Sequence, residues 1–175
     1  MIYYTSDSVV IRDFAETDAE VFTREEQAQG WNQTIDKYLT RLEHQKQGRC
    51  ISLAAECQGN PAGYINVYPN ASYGPFGNHG LPEIVDFAVL EKYRRRGIGS
   101  LLMDQAESIA SQYADRVYLG VGLHAGYGSA QRMYAKRGYI PDGSGVWYGN
   151  RVCEPYAAYP NDDELILYLS KQLHK

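Results

Sequence analysis

The stretch Ile84-Val85-Asp86-Phe87-Ala88-Val89-Leu90-Glu91-Lys92-Tyr93-Arg94-Arg95-Arg96-Gly97-Ile98-Gly99-Ser100-Leu101-Leu102 decides how this chain folds. A nearly continuous apolar run feeds a basic turn with two glycines, and the turn opens an amphipathic segment. The pattern predicts a buried strand over residues 83–90 and a helix from Ile98 to about residue 114. Leu101, Leu102, Ala106 and Ile109 form the expected buried set of that helix. A helix N-terminus leaves backbone N–H groups unpaired and carries partial positive charge, so it can receive a phosphate. Gly97 and Gly99 let the backbone approach such a ligand, and Arg94, Arg95 and Arg96 add charge-assisted contacts. Two competing nucleotide motifs fail. The dinucleotide fingerprint needs a third glycine and a later acidic residue, and the P-loop needs Gly-Lys-Ser/Thr.

Upstream, Val9-Val10-Ile11 reads as a strand and Thr17 as the cap of a helix running to about Gln27. A second helix fits residues 33–47, with Ile35, Tyr38, Leu39 and Leu42 on one face. Residues 50–56 and 62–68 read as a hairpin around Gln58-Gly59-Asn60-Pro61, followed by a Gly/Asn/Pro-rich loop over 70–80. Downstream come a strand at 116–123, a short helix at 129–137, a strand starting at Tyr139-Ile140 and a turn at Asp142-Gly143-Ser144-Gly145. A small hairpin at 146–152 and a last strand at 164–169 complete the chain. The order is mixed α/β, with antiparallel hairpins first and a strand–helix–strand–helix unit after.

The 175 residues suit a single domain, residues 1–175, large enough to bury a core without staples. The apolar fraction of 44% is that of a globular chain. A net charge of −4 argues against a nucleic-acid partner. The one dense basic run, at residues 94–96, can meet a few phosphates but cannot track a backbone. Cys50, Cys57 and Cys153 lack zinc spacing and are expected as reduced thiols. No segment is apolar enough to cross a bilayer, and the N-terminus lacks the pattern of a signal peptide, so a cytoplasmic location is expected. No metal site is expected. The 16 tyrosines are an oddity of composition, and a subset could line a site for an amine or a sugar.

Phe87-Ala88-Val89 followed by Tyr93-Arg94-Arg95-Arg96-Gly97-Ile98-Gly99-Ser100-Leu101-Leu102 resembles motif A of the GNAT acetyltransferase superfamily. Met133-Tyr134-Ala135-Lys136-Arg137-Gly138-Tyr139 is similar to that family's Leu-Tyr-x-x-x-Gly-Phe/Tyr motif. The resemblance implies a GNAT fold, a twisted central sheet with helices on both faces, and acyl transfer from acetyl-CoA to a primary amine in a ternary complex. It implies that the backbone of Phe87, Ala88 and Val89 pairs with the pantetheine amides and that Arg95, Arg96, Gly97, Ile98, Gly99 and Ser100 cradle the pyrophosphate. It implies that the thioester lies where the strands at 83–90 and 116–123 splay, with Tyr134 as general acid toward the thiolate. The sequence departs from the family at two places. Tyr127 stands near the position of a cofactor-contacting Asn, and Gly120 stands where peptide-acetylating members carry a Glu.

An ammonium must lose a proton before it attacks, so carboxylates near the reacting centre matter. Asp86 is the expected base or anchor, with Glu83 beside it. Tyr73, His124, Trp147 and Tyr148 are further candidates for holding the acceptor. His79 is a weaker candidate, while His44 and His174 read as solvated. The leading acceptor is a small cationic amine: aminoglycoside-like, polyamine or amino acid. A protein N-terminus or lysine is the alternative. A non-catalytic module that binds acyl-CoA and regulates a partner is a third reading. Acetyl-CoA and an amine acceptor are the expected partners, and a homodimer is left open.

Overall fold

The computed structural model describes residues 1–173, so His174 lies outside the described residues. Among the described residues, nine strands and four helices give a mixed α/β fold with a mixed sheet. The described residues fall into two compact units. One holds Met1–Tyr68 with Val85–Ile109, and the other holds Pro69–Ile84 with the chain from Ala110 onward.

In the first unit, β1 (Ile2–Thr5), β2 (Val9–Asp13), β3 (Ile51–Cys57) and β4 (Asn60–Tyr68) follow one another antiparallel, and β5 (Glu83–Val89) comes next to β4. Helices α1 (Glu16–Ala28) and α2 (Ile35–Lys46) join β2 to β3. The core gathers Phe14, Phe22, Tyr38, Leu42, Tyr64 and Leu90. Its rings meet in stacked and edge contacts at 5.0 to 6.4 Å, geometries that add to simple area burial. Glu26 is fully buried among these rings. It accepts hydrogen bonds from the Tyr38 hydroxyl and, at 2.7 Å, from Tyr64. Lys37 Nζ lies 3.6 Å from the same carboxylate. A buried carboxylate needs such partners, so two of the many tyrosines serve the core.

Four expectations for this unit are corrected. The helix predicted from Thr17 begins at Glu16. Asp18 folds back to accept from the Ala15 backbone N–H at 2.8 Å, so Thr17 caps nothing. Leu39 is 46% exposed rather than part of the buried face. In α3 (Ile98–Ala110) the buried face is Ile98, Leu102, Met103, Ala106, Ile109 and Ala110, with Leu101 only half-buried. That helix stops at Ala110, short of residue 114, in a turn where Ala114 N–H still donates to Ala110 O.

In the second unit the first two residues of β5 pair parallel with β6 (Arg116–Gly122), at Glu83↔Tyr118 and Ile84↔Leu119. β6 pairs antiparallel with β9 (Leu165–Gln172), β9 with β7 (Ile140–Tyr148), and β7 with β8 (Arg151–Val152). Helix α4 (Gly128–Lys136) lies between β6 and β7 in the chain. Asp142-Gly143-Ser144-Gly145 does not turn the chain. It forms an irregularity inside β7, across which pairing with β9 jumps from Pro141 to Val146. Asp142 Oδ1 accepts from the Ser144 hydroxyl at 2.9 Å, and the Ser144 hydroxyl oxygen accepts from Trp147 Nε1 at 2.7 Å. The side chains close the bulge locally, so the strand resumes on the same partner.

Candidate active site

The basic turn belongs to the first unit. After β5 the chain makes a single 3₁₀ turn, Glu91–Tyr93. Arg95 and Gly97 then adopt left-handed φ values of 61° and 78°, and α3 starts at Ile98. Arg94, Arg95, Arg96 and Gly97 are exposed. The first turn of α3 contains no acidic residue, so nothing in it opposes an anion at the helix start. A Cβ built on Gly97 would meet nothing within 4 Å. Arg94 donates through Nε to Val89 O at 3.2 Å, and its guanidinium lies 5.6 Å from the centre of the Trp31 ring. The guanidinium of Arg96 lies 5.7 Å from the Tyr93 ring centre. These arginines make few strong local ion pairs. Arg94 reaches Glu91 at 3.6 Å between two half-exposed groups, a contact of little energetic weight. The turn suits a phosphate-bearing ligand.

Asp86 lies mid-strand with φ +48°. Its Oδ2 accepts from Arg41 Nε at 2.7 Å and Nη2 at 2.5 Å. Its carboxylate is therefore already paired.

Glu83 and Tyr134 lie in the second unit. Glu83 is 7% exposed, with Oε2 at 3.4 Å from the Tyr118 hydroxyl. That hydroxyl donates at 2.8 Å to Tyr73 O, so Tyr73 contributes its backbone while its side chain is exposed. Burial pushes the Tyr118 phenol upward, and the neighbouring Glu83 adds to the shift. Tyr134 is buried on α4, its ring 5.8 Å from that of Tyr139. Burial pushes its hydroxyl well above the usual phenol range, so the proton stays on oxygen.

The remaining candidates have local partners. His124 Nδ1 accepts from the Gly126 N–H at 3.1 Å, which leaves Nε2 to donate to Asp163 at 2.9 Å. Asp163 also accepts from Tyr127 at 2.8 Å, and these two bonds hold its carboxyl below the usual range. Trp147 sets its ring edge-on to Tyr168 at 5.5 Å, and Tyr148 donates to Asp162 at 3.0 Å. His79 is exposed, and His44 Nδ1 contacts the Tyr68 hydroxyl at 2.6 Å. The departure at Gly120 has a steric cause: a Cβ there would lie 2.8 Å from Ile166 and 3.2 Å from Tyr168. A side chain at this position would require the Ile166 and Tyr168 side chains to shift. Among the described residues no group of three His, Cys, Asp or Glu side chains could hold a metal. No helix among them is long and apolar enough to cross a membrane. All three cysteines are free.

The model of the acetyltransferase (GNAT) family matches residues 11–139. The chain belongs to that family. An N-alpha-acetyltransferase of Sulfurisphaera tokodaii is 32% identical to this GNAT chain over 110 residues, 58% of the chain and 64% of that protein. The match thus spans a little under two thirds of the relative's length. Among solved structures, Ard1 from Thermoplasma volcanium superposes with a TM-score of 0.70 at 22% identity, covering 96% of this chain and 99% of that one. The protein yncA from Salmonella typhimurium, solved with its cofactor acetyl-CoA, superposes with a TM-score of 0.68 at 14% identity, covering 97% of this chain and 96% of that one. At these identities the structural likenesses establish the fold of this GNAT protein, and it is the fold the motifs implied.

Proposed function

We propose that this GNAT protein transfers the acetyl group of acetyl-CoA to the α-amine of a polypeptide N-terminus, by direct attack in a ternary complex. The observation that carries the donor half is the exposed arginine turn leading through left-handed Gly97 into the acid-free start of α3. Its N–H groups and guanidiniums would hold the pyrophosphate. The backbone of Phe87, Ala88 and Val89 would pair with the pantetheine amides. The acceptor half draws on the N-alpha-acetyltransferase relative. It replaces the small cationic amine that heads the sequence expectations.

An α-amine also suits the residues present. Its pKa is about 7.7–8.0, against about 10.4 for a lysine amine, so a sizeable fraction is already neutral near pH 7. A strong base at position 120 is then dispensable. In this reading Glu83 orders the water that takes the ammonium proton before attack, the proton the nitrogen sheds on forming the amide goes to the departing sulfur, and the Tyr134 hydroxyl hydrogen-bonds that sulfur as the carbon–sulfur bond breaks. The departing thiolate leaves as CoA, and the amine nitrogen keeps the acetyl group.

The test is thiol release from acetyl-CoA against unblocked peptides, the same peptides with blocked N-termini, polyamines and aminoglycosides. Release is expected with the unblocked peptides alone. Tight acetyl-CoA binding without release to any amine would favour the regulatory module instead. Glu83→Gln should lower kcat/KM at least about tenfold near pH 7. The deficit should shrink above about pH 9, where the amine is already neutral. A deficit that stays constant with pH would mark Glu83 as a packing partner of Tyr118 only.

A further inference from the structure

Strand β5 carries a kink that other elements hold in place. Asp86 has φ +48° in the middle of the strand, a left-handed conformation that L residues avoid and that Asn and Asp tolerate best. One such residue departs from the extended strand conformation and changes the direction of the backbone groups that follow it. Two elements of the first unit, α2 and β4, hold this one. From α2, Arg41 grips the Asp86 carboxylate through Nε and Nη2 at 2.7 and 2.5 Å. The same guanidinium donates to the Tyr68 hydroxyl at 2.5 Å. From β4, the Asn66 amide donates to Val85 O and to Asp86 O, both at 3.3 Å. Asn66 is 3% exposed, so its amide has no ready alternative in water. Beyond the kink the chain rejoins β4, where Leu90 N–H donates to Ala62 O at 2.9 Å.

We infer that Arg41 and Asn66 are positioning residues for the acyl donor. They hold the left-handed turn at Asp86, and the turn sets the direction of the Phe87, Ala88 and Val89 backbone. The inference rests on the proposed reading that this backbone receives the pantetheine. It gives Asp86 a conformational role and removes the need for a free carboxylate there. An ion pair to Arg41 is what the kink requires and what a base or an ammonium anchor would have to give up.

The experiment measures acetyl-CoA affinity by calorimetry and peptide KM by thiol release. Arg41→Met and Asn66→Ala should weaken acetyl-CoA binding by about tenfold and change peptide KM by less than about threefold. The decisive pair is Asp86→Asn and Asp86→Ala. Asn adopts the left-handed conformation and still accepts from Arg41, so affinity for acetyl-CoA should hold within about threefold. Ala does neither, and affinity should fall by about tenfold. This pair decides the matter even where the Arg41 or Asn66 variants fail to fold. Equal losses for Asn and Ala, or no loss for Ala, would overturn the inference while wild type still binds acetyl-CoA. A wild-type protein with no affinity for acetyl-CoA would overturn the donor reading itself, and this inference with it.

Discussion

Gly97→Glu should reduce acetyl-CoA affinity by at least about a hundredfold and leave the protein folded. The backbone at Gly97 has φ +78°, which costs an L side chain roughly 1–2 kcal/mol. A domain with a net stability of about 5–15 kcal/mol survives that cost. Gly97 is exposed and a Cβ there meets nothing within 4 Å, so the attachment point itself creates no clash. What the added side chain does change is the field at the start of α3. A carboxylate placed there would face the pyrophosphate directly and would compete for Arg94, Arg95 and Arg96. Gly97→Ala imposes the same backbone strain without charge or reach, and its loss should be much smaller. Calorimetry with acetyl-CoA, beside thermal melts of both variants, separates strain from charge. Undiminished affinity in Gly97→Glu would remove the turn from the donor site.

Tyr134→Phe should lower kcat by about 10²-fold or more with acetyl-CoA affinity unchanged. A phenol near ~10 and a thiol near ~8.5 make full proton transfer to the thiolate uphill by roughly 2 kcal/mol. Burial of Tyr134 pushes its pKa higher still, so the gap widens. On the proposed reading the hydroxyl therefore serves as a hydrogen-bond donor to the departing sulfur, and the effect should sit toward the low end of general-acid contributions. The sign for pH follows from the same shift. A raised pKa keeps the donor protonated, so wild-type kcat should not fall between about pH 8 and pH 10 through loss of this proton. The Phe variant keeps the ring against Tyr139 and loses one oxygen. A kcat near that of wild type would reduce Tyr134 to a core residue.

The strand, turn and helix on which the donor reading rests were readable because they are contiguous. An apolar strand, a basic turn and an amphipathic helix follow one another within residues 83–110, and each announces itself by period or composition. The clamp on Asp86 was not. Arg41 precedes it by 45 residues in the chain, and no local pattern couples a helix arginine to a strand aspartate. The left-handed φ of Asp86 was equally silent, since Asp occurs in ordinary strands as well. β1 was missed because Ile2-Tyr3-Tyr4-Thr5 is a short edge strand with half-exposed residues and little alternation. The glycines and Asp142 in β7 imitate a turn, and only the Ser144–Trp147 hydrogen bond and the resumed pairing with β9 distinguish a bulge. Leu39 looked buried because helical spacing allows it, but the stripe is narrower than the period alone suggests. The acceptor was the least legible feature. Its candidates Tyr73, His124, Trp147 and Tyr148 carry the same side chains whether they hold a ligand or, as His124 and Tyr148 do here, nearby acids.

The chain has two tryptophans, Trp31 in the first unit and Trp147 in the second. Indole emission responds to nearby charge, and Trp31 lies beneath the guanidinium of Arg94. An arginine drawn toward a pyrophosphate would leave that ring, and the emission would change with it. Trp147, bonded to Ser144 and edge-on to Tyr168, senses its own unit. A Trp147→Phe protein would thus carry a fluorescent gauge of donor loading, and a Trp31→Phe protein a separate gauge of events around β7. The molecule comes with its own optical probes, and ligand order could be timed by stopped flow without a label.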